Sequence, residues 1–305
     1  MDGLVIRMGG YQGPASVHNR AAYVLGAELA ERTGGETSLT LIEDVTKLGR
    51  NSIELFDMVE GSELDLCYFA SSYLVHRVPN LAVFDLPFAI ESREKIYELL
   101  DNGLGEEIKA DVARRTGFTV LGFWDNGFRH FTNRLHPILV PEDCQGLSIR
   151  TMNSAIHQET FRALGFQPDI IDIKDFPAAI RAEIVDAQEN PLTNTVNFAV
   201  HETHRFITMT GHFCGVSLVL ANAERLAEWP QARREALAAG MKEATRAQRG
   251  FAQEEDERCY PILAAAGVEL IRPGEFDRPA FVKATAEVSA ATAKNVDDSV
   301  MQYFR

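Results

Sequence analysis

The apolar positions in the first half of the chain switch repeatedly between strand and helix spacing. LVIRM (4–8) reads as a strand. Ser16 is placed to cap a helix that carries Val17, Ala21, Leu25 and Leu29 on one face, and Gly34-Gly35 ends it. SLTLI (38–42) reads as a second strand, residues 52–60 as a helix stopped by Gly61, and LDLCYF (64–69) as a third strand. VFDLPF (83–88) is an apolar run broken by Pro87. Helices follow near 92–101 and 105–116, then the strand FTVLGFW (118–124). Strands alternating with helices predict an α/β fold with a largely parallel, helix-covered sheet.

From residue 125 the pattern restarts. FRHFT (128–132) and LSIRT (147–151) read as strands, and Asn153 as the cap of a helix ending at Gly165. PDIIDI (168–173) is a strand, 175–184 a helix and VDAQ (185–188) a short strand. The segment 222–267 is rich in Ala, Glu, Arg, Gln and Leu, and only Pro230 and Pro261 interrupt it. About thirty helical residues span roughly 45 Å. That exceeds one small domain, so the helix is expected to run along two. VELIRP (268–273) is a last strand. A C-terminal helix puts Phe281, Ala284, Val288, Ala291, Val300 and Phe304 on one stripe, the spacing of a packing helix.

The chain has 305 residues, enough for two domains or one large one, and 46% are hydrophobic. A chain this long buries a core without a disulfide or metal staple. The net charge of −14 argues against nucleic acid or an anionic membrane surface as main partner. It leaves room for a small anion, because one buried Arg can dominate a pocket. No run of 18 apolar residues is present, so no membrane span is expected. The opening MDGLVIRMGG lacks a basic stretch and a long apolar stretch and does not read as a signal peptide. Either a cytosolic protein or a chain whose leader was removed fits. Cys67, Cys144, Cys214 and Cys259 lie far apart without a CxxC, so neither a zinc site nor a redox pair is expected.

GGYQG (9–13) between a strand and a helix looks like a phosphate-binding turn, but it lacks GxGxxG and reads better as a tight turn. HETH (201–204) is not HExxH and reads as the solvated face of a helix. No GxSxG, P-loop or Cys/His pairing nominates a nucleophile. Arg150 is more informative. It ends a strand of an α/β unit, where ligands usually bind, and its planar fork matches a carboxylate. Taken alone, such an Arg is more often a surface ion pair. Arg129, in GFRHFT, stands on another short strand. Asn190, in VDAQENP, follows a strand where its amide can donate to a carboxylate; alone, either is a turn or cap residue.

These pieces occur together in one order: NGFRHFTNRLHPILVPEDCQGLSIRT (126–151), ALGFQPDIIDIKDFPAAIRAEIVDAQENP (163–191) and ITMTGHF (207–213). With HNRAAYVLGAELAERTGG (18–35), KLG (47–49) and VFDLPFAI (83–90), the whole chain resembles the solute-binding proteins of TRAP transporters, DctP type. The resemblance implies a two-lobe periplasmic-binding-protein-like α/β fold, a ligand cleft between the lobes that closes by a hinge, and a long helix spanning both. The boundaries expected are 1–125 and 214–252 for lobe one, and 126–213 and 253–305 for lobe two. It implies that Arg150 is the main carboxylate-binding residue, Asn190 a ligand-binding amide and Arg129 a second Arg near the carboxylate. Phe69 and Ser71 match the lobe-one wall, and Trp124 and Phe213 fall on the hinge strands.

The function so implied is extracytoplasmic capture of a small organic carboxylate and delivery to the membrane subunits of a TRAP transporter. The expected location is periplasmic, with no enzymatic activity, no cofactor and no metal. The alternative is a soluble α/β enzyme acting on an organic acid. CYFASSY (67–73) brings no charge to the lobe-one wall, and Tyr68, Ser71 and Ser72 bring hydroxyls. A buried second anion there would lack a counter-charge. A monocarboxylate with an apolar, hydroxyl or keto far end is therefore expected ahead of a C4-dicarboxylate, unless Arg50 points inward.

Overall fold

The computed structural model describes residues 3–304; Met1, Asp2 and Arg305 lie outside the described residues. Nine strands are described: β1 (Leu4–Gly9), β2 (Thr37–Ile42), β3 (Leu66–Ala70), β4 (Phe118–Asn133), β5 (Ser148–Thr151), β6 (Gln167–Ile170), β7 (Ala187–Asn190), β8 (Phe206–Asn222) and β9 (Glu269–Ile271). The chain divides into two compact units. The first holds the stretch up to Ser71, 105–125 and 216–255; the second holds 72–104, 126–215 and 256–304. β4, β8 and the helix Gln231–Ala265 each continue from one unit into the other.

In the first unit, β1 runs parallel to β2 and β3, and β3 pairs antiparallel with the end of β8, Leu66 opposite Ala221. The helix Val17–Arg32 starts where the sequence places it: the Ser16 side chain accepts the Asn19 amide, and Val17, Ala21, Leu25 and Leu29 are buried. Ile6, Met8, Leu55 and Leu66 of the same unit are fully buried as well. Each fully buried large apolar side chain contributes about 1.5–3 kcal/mol.

The GGYQG turn serves packing. A Cβ on Gly10 would lie 2.5 Å from the Tyr68 ring, whereas one on Gly13 would meet nothing within 4 Å.

In the second unit, the end of β4 pairs antiparallel with β7, putting His130 opposite Asn190 and Phe131 opposite Glu189. β5 is parallel to β6 and β7, and β9 to the start of β8. The helix Ala155–Leu164 is capped by Ser154, one residue later than the expected Asn153, and ends at Gly165 with φ +99°. Phe131, Ile149, Phe161, Phe213 and Phe281 share one core.

Several elements depart from the sequence pattern. The strands expected at 118–124 and 128–132 are one, β4. Gly127, with φ +86°, carries the chain between them, and its missing side chain leaves room for Pro191. The first half of VFDLPF, 83–85, ends a 3-10 helix, Pro79–Asp85, and 86–88 are a bend and turn. The expected helix at 222–267 is interrupted before Gln231, at Pro230, but Pro261 sits inside the continuous helix. The C-terminal helix is three short ones, Arg278–Ala284, Ala286–Ala293 and Asp298–Met301. Phe281, Val288 and Val300 of its stripe are buried, while Ala291 is exposed.

Residues 72–104 group with the second unit, where the sequence reading set them in the first. Asn80 exchanges two hydrogen bonds with Asp297, at 2.9 and 2.8 Å, and Phe88 joins the second unit's core. These contacts are distant in sequence, so local pattern does not reveal them.

Gly10→Ala is expected to lower the unfolding free energy by about 1–3 kcal/mol through overpacking against Tyr68, and Gly13→Ala by much less. Urea unfolding of both variants checks this; equal effects would contradict the packing role.

Candidate functional site

The second unit gathers Arg150, Arg129 and Asn190, three of the residues singled out in the sequence. Arg150 leaves β5 as one of the largest fully buried side chains, at 2% exposure. Its Nε donates to the Ile171 carbonyl at 2.9 Å, and its guanidinium carbon lies 4.6 Å from the Phe176 ring centroid. Among the described residues neither terminal amino group has an acceptor, and no carboxylate stands within 4 Å. Burial lowers its pKa, against the opposing pull of Tyr73 and Glu189. A guanidinium nonetheless stays charged. Arg150 is therefore a dry cation with its fork open.

Arg129 is different. It is buried against Glu189, which lies on β7. Its Nε donates to Oε2 of Glu189, and one terminal amino group reaches Oε1 at 2.8 Å and the Glu189 carbonyl at 2.9 Å. Burial pushes the Glu189 carboxyl up, but Arg129, with His157 and His212, holds it well below the usual range. The two imidazoles stand 3.7 and 3.4 Å away, and His157 Nδ1 and His212 Nε2 make no well-formed hydrogen bond. They polarise the carboxylate through space. His157 Nε2 meets Asp85 at 3.0 Å, and Asp85 accepts the Ser72 hydroxyl at 2.7 Å. Burial lowers the His157 pKa, but Asp85 and Glu189 raise it more.

Asn190 is oriented by a chain of hydrogen bonds. The Thr132 hydroxyl accepts Gln188 Nε2 at 2.8 Å and so turns its proton to His204 Nδ1 at 2.7 Å. Gln188 then presents Oε1 to Asn190 Nδ2 at 2.6 Å. The Asn190 carbonyl accepts from Arg129 at 3.2 Å and Asn194 at 3.3 Å. One Nδ2 hydrogen is left without an acceptor among the described residues, and an amide has two.

The remaining sequence candidates stand elsewhere. Phe213 is buried and stacks on His157, ring centroids 4.1 Å apart. Phe69, Ser71 and Trp124 belong to the first unit, all 1% exposed. There Tyr11 packs edge-on to Phe69 at 4.9 Å, His18 stacks on Tyr68 at 4.9 Å, and Trp124 Nε1 donates to Thr245 at 3.2 Å. Gln12 Nε2 and His18 Nε2 are buried without a partner among the described residues. Arg50 is spent on Glu54 and Glu63, at 3.2 and 3.0 Å.

HETH corrects the reading of a solvated helical face. It lies at a 3-10 turn, Val200–Glu202, and His204 is buried at 1% exposure. Glu189, His157, His212, Gln188, Asp85, Gln12 and His18 were not anticipated. Glu189 sits inside the QENP motif, but nothing in the sequence pairs it with Arg129. All four cysteines are buried and none is in a disulfide among the described residues, and burial pushes the Cys67 and Cys144 thiols up. Among the described residues no group of three or more His, Cys, Asp or Glu is arranged to hold a metal.

Two α/β units, one with an open buried guanidinium beside a fixed amide, define a solute-binding protein rather than a nucleotide-binding one. The chain belongs to the bacterial extracellular solute-binding protein family 7, DctP, whose sequence profile matches residues 8–295. It is 30% identical over 253 residues to the 2,3-diketo-L-gulonate-binding periplasmic protein YiaO of Escherichia coli K12, covering 83% of this chain and 76% of that one. Two solved structures share its fold. The sugar acid binding protein DctPAm of Advenella mimigardefordensis, in complex with galactonate, matches with a TM-score of 0.93 at 19% identity, covering 100% of this chain and 97% of that one. A TRAP periplasmic solute binding protein of Sulfurospirillum deleyianum with bound succinate matches with 0.91 at 23%, covering 100% and 99%.

Arg129 and Arg150 should part company in stability tests. Arg129→Ala strands Glu189 and is expected to cost about 3–5 kcal/mol. Arg150→Met, without ligand, is expected to cost no more than about 1 kcal/mol, because it removes a desolvated cation that has no counter-ion. Urea unfolding of the ligand-free variants checks this; equal losses would contradict the open-fork reading.

Acid should weaken the fold early. Burial depresses His130 to about 3 and His18, His204 and His212 to about 4. An unfolded His titrates near 6.5, so below that pH the unfolded chain takes up protons the folded chain refuses. That stability is present above about pH 6.5 and is lost as pH falls toward 4. His157, with a raised pKa, acts oppositely: its contribution is present below about 6.5 and lost as pH rises through its folded value. Four outweigh one, so the urea midpoint is expected to fall from pH 7 to pH 5. A flat profile would contradict it.

Proposed function

We propose that this protein captures a small organic monocarboxylate outside the cytoplasm, in the periplasm, and hands it to the membrane subunits of a TRAP transporter. The observation that carries the reading is Arg150: a buried cation whose terminal amino groups have no acceptor among the described residues. A carboxylate laid bidentately on that fork supplies the missing charge, and charge-assisted bonds of this kind contribute about 1.5–3 kcal/mol. The free Asn190 hydrogen fixes the carboxylate's orientation. Arg129 acts one step back: it is neutralised by Glu189 and holds the Asn190 carbonyl, so it sets the amide rather than taking the ligand.

The protein acts by binding rather than turnover. Membership of a solute-binding family supports this, and Glu189 is engaged with Arg129 and His157 with Asp85.

The first unit bears on which carboxylate. The family resemblance marks Phe69, Ser71 and Trp124 there as ligand residues, and the buried groups of that unit support a reading of what the ligand carries besides its carboxylate. Two partnerless groups there are uncharged: the Gln12 Nε2 donor, and His18, which gives its Nδ1–H to Gln12 Oε1 and whose bare Nε2 is an acceptor that burial keeps unprotonated, with a pKa of about 4. Arg50, the one cation the sequence held in reserve, is taken by two glutamates. A second carboxylate would lack a counter-charge, whereas hydroxyl and keto groups suit amide and imidazole partners. The ligand class is thus a hydroxy or keto monocarboxylic acid of sugar-acid size, ahead of succinate-like diacids.

Arg150→Ala is expected to weaken binding of such an acid at least about tenfold, read by calorimetry; unchanged affinity removes Arg150 from the site. In a thermal-shift panel, galactonate and 2,3-diketo-L-gulonate are expected to raise the Tm more than succinate or malate. The reverse order would overturn the monocarboxylate assignment and leave the anchor intact.

A further inference from the structure

The second unit holds a cavity of about 430 Å³ that none of Arg150, Arg129, Asn190, Glu189 or Tyr73 lines. That volume lies in the usual range for small-molecule sites. Its apolar walls include Phe128, Leu192, Met209, Pro273 and Phe276. Its polar groups fall into three kinds.

The first is His130, which is buried at 7% exposure. Its Nδ1 accepts the Gly211 amide at 3.1 Å, so Nε2 carries the proton. That N–H has no acceptor among the described residues. Burial, with His212, Arg93 and Arg129 adding to it, keeps the ring neutral.

The second is a spent pair. Arg93 and Asp256 bond at 2.5 Å and neutralise each other.

The third is Arg272 and Arg278. Arg272 reaches over the Tyr260 ring at 5.5 Å, and its side chain has no acid partner among the described residues. Arg278 lies over the Phe88 ring at 5.4 Å, and its side chain donates to the Phe88 carbonyl at 3.4 Å, with no acid partner among the described residues. The stacked rings hold both guanidinia without discharging them. Glu91, exposed, is the only unpaired acid on the wall, so the lining carries one more guanidinium than carboxylate. The Thr210 hydroxyl is already taken by His212, at 2.7 Å.

We propose that this cavity is a second small-molecule site, for a monocarboxylate with an apolar body. The carboxylate sits at Arg272 and Arg278, which the solvent reaches. The body lies against Phe128, Met209, Leu192 and Phe276, and the His130 Nε2–H serves a polar substituent at the buried end. This site does not depend on the Arg150 anchor. It lies on β4, β8 and the helix Gln231–Ala265, the three elements that continue into the first unit.

The test uses the Arg150→Ala chain, in which binding at the primary anchor is already weakened at least about tenfold. Calorimetry with 3-phenylpropionate and with 4-methylpentanoate is expected to show one-to-one binding to this variant. The neutral analogue 3-phenylpropanamide is expected to bind at least about tenfold more weakly. Adding Arg272→Ala and Arg278→Ala should weaken both acids at least about tenfold. Both arginines reach the surface, so the native Tm should persist; if it does not, Arg272→Gln alone is read in the same way. No binding of either acid up to millimolar concentration overturns the proposal. So does equal binding of acid and amide, or an affinity that ignores the arginine substitutions. Failure here leaves the Arg150 reading standing, because that reading is tested on the unsubstituted arginine.

Discussion

Everything at the candidate site depends on Glu189 being shared out completely. A fully buried carboxylate is costly to desolvate, and the cost is offset only by close partners. Arg129 supplies a forked contact, and His157 and His212 add their field. With Glu189 saturated, no buried acid is left near enough to pair with Arg150. A protein selected for stability alone would neutralise or replace such a group. Keeping it desolvated and open stores an affinity for anions, because the ligand makes the contact that the fold withholds.

The same economy orients Asn190. An amide without constraints could turn either its oxygen or its nitrogen toward an anion. Here Gln188 takes one hydrogen and Arg129 and Asn194 take the oxygen. The chain reaches back through Thr132 to a histidine that burial keeps neutral, so its sense is fixed over the pH range in which His204 stays unprotonated. A donor held this way costs little further ordering when a ligand arrives.

The proteins this chain resembles are named for or bound to different acids: galactonate, succinate and 2,3-diketo-L-gulonate. In this chain two of the first unit's partnerless buried polar atoms are a neutral amide donor, Gln12 Nε2, and a neutral imidazole acceptor, His18 Nε2, the latter in a ring stacked on Tyr68. Arg50, on the surface pair with Glu54 and Glu63, shows how a position that is ambiguous in sequence is decided by which acids lie within reach.

The sequence by itself determined the α/β order, the Ser16 cap and buried face of the first helix, the prominence of Arg150 and the family. Each is written in local spacing or in an ordered set of motifs. Asn190 was legible for the same reason, as part of QENP. The joining of two expected strands into β4 was not, because Gly127 reads as a breaker until Pro191 is seen beside it. Nor was the second-unit membership of 72–104, which rests on partners more than a hundred residues away, such as Asp297. The family resemblance sets Arg129 near the carboxylate, and the sequence alone does not show its counter-ion. Only the ladder that sets β7 beside β4 brings Glu189 to it. Charge is visible in sequence, but whether a charge is already spent depends on burial and distance, and those exist only once the chain is folded.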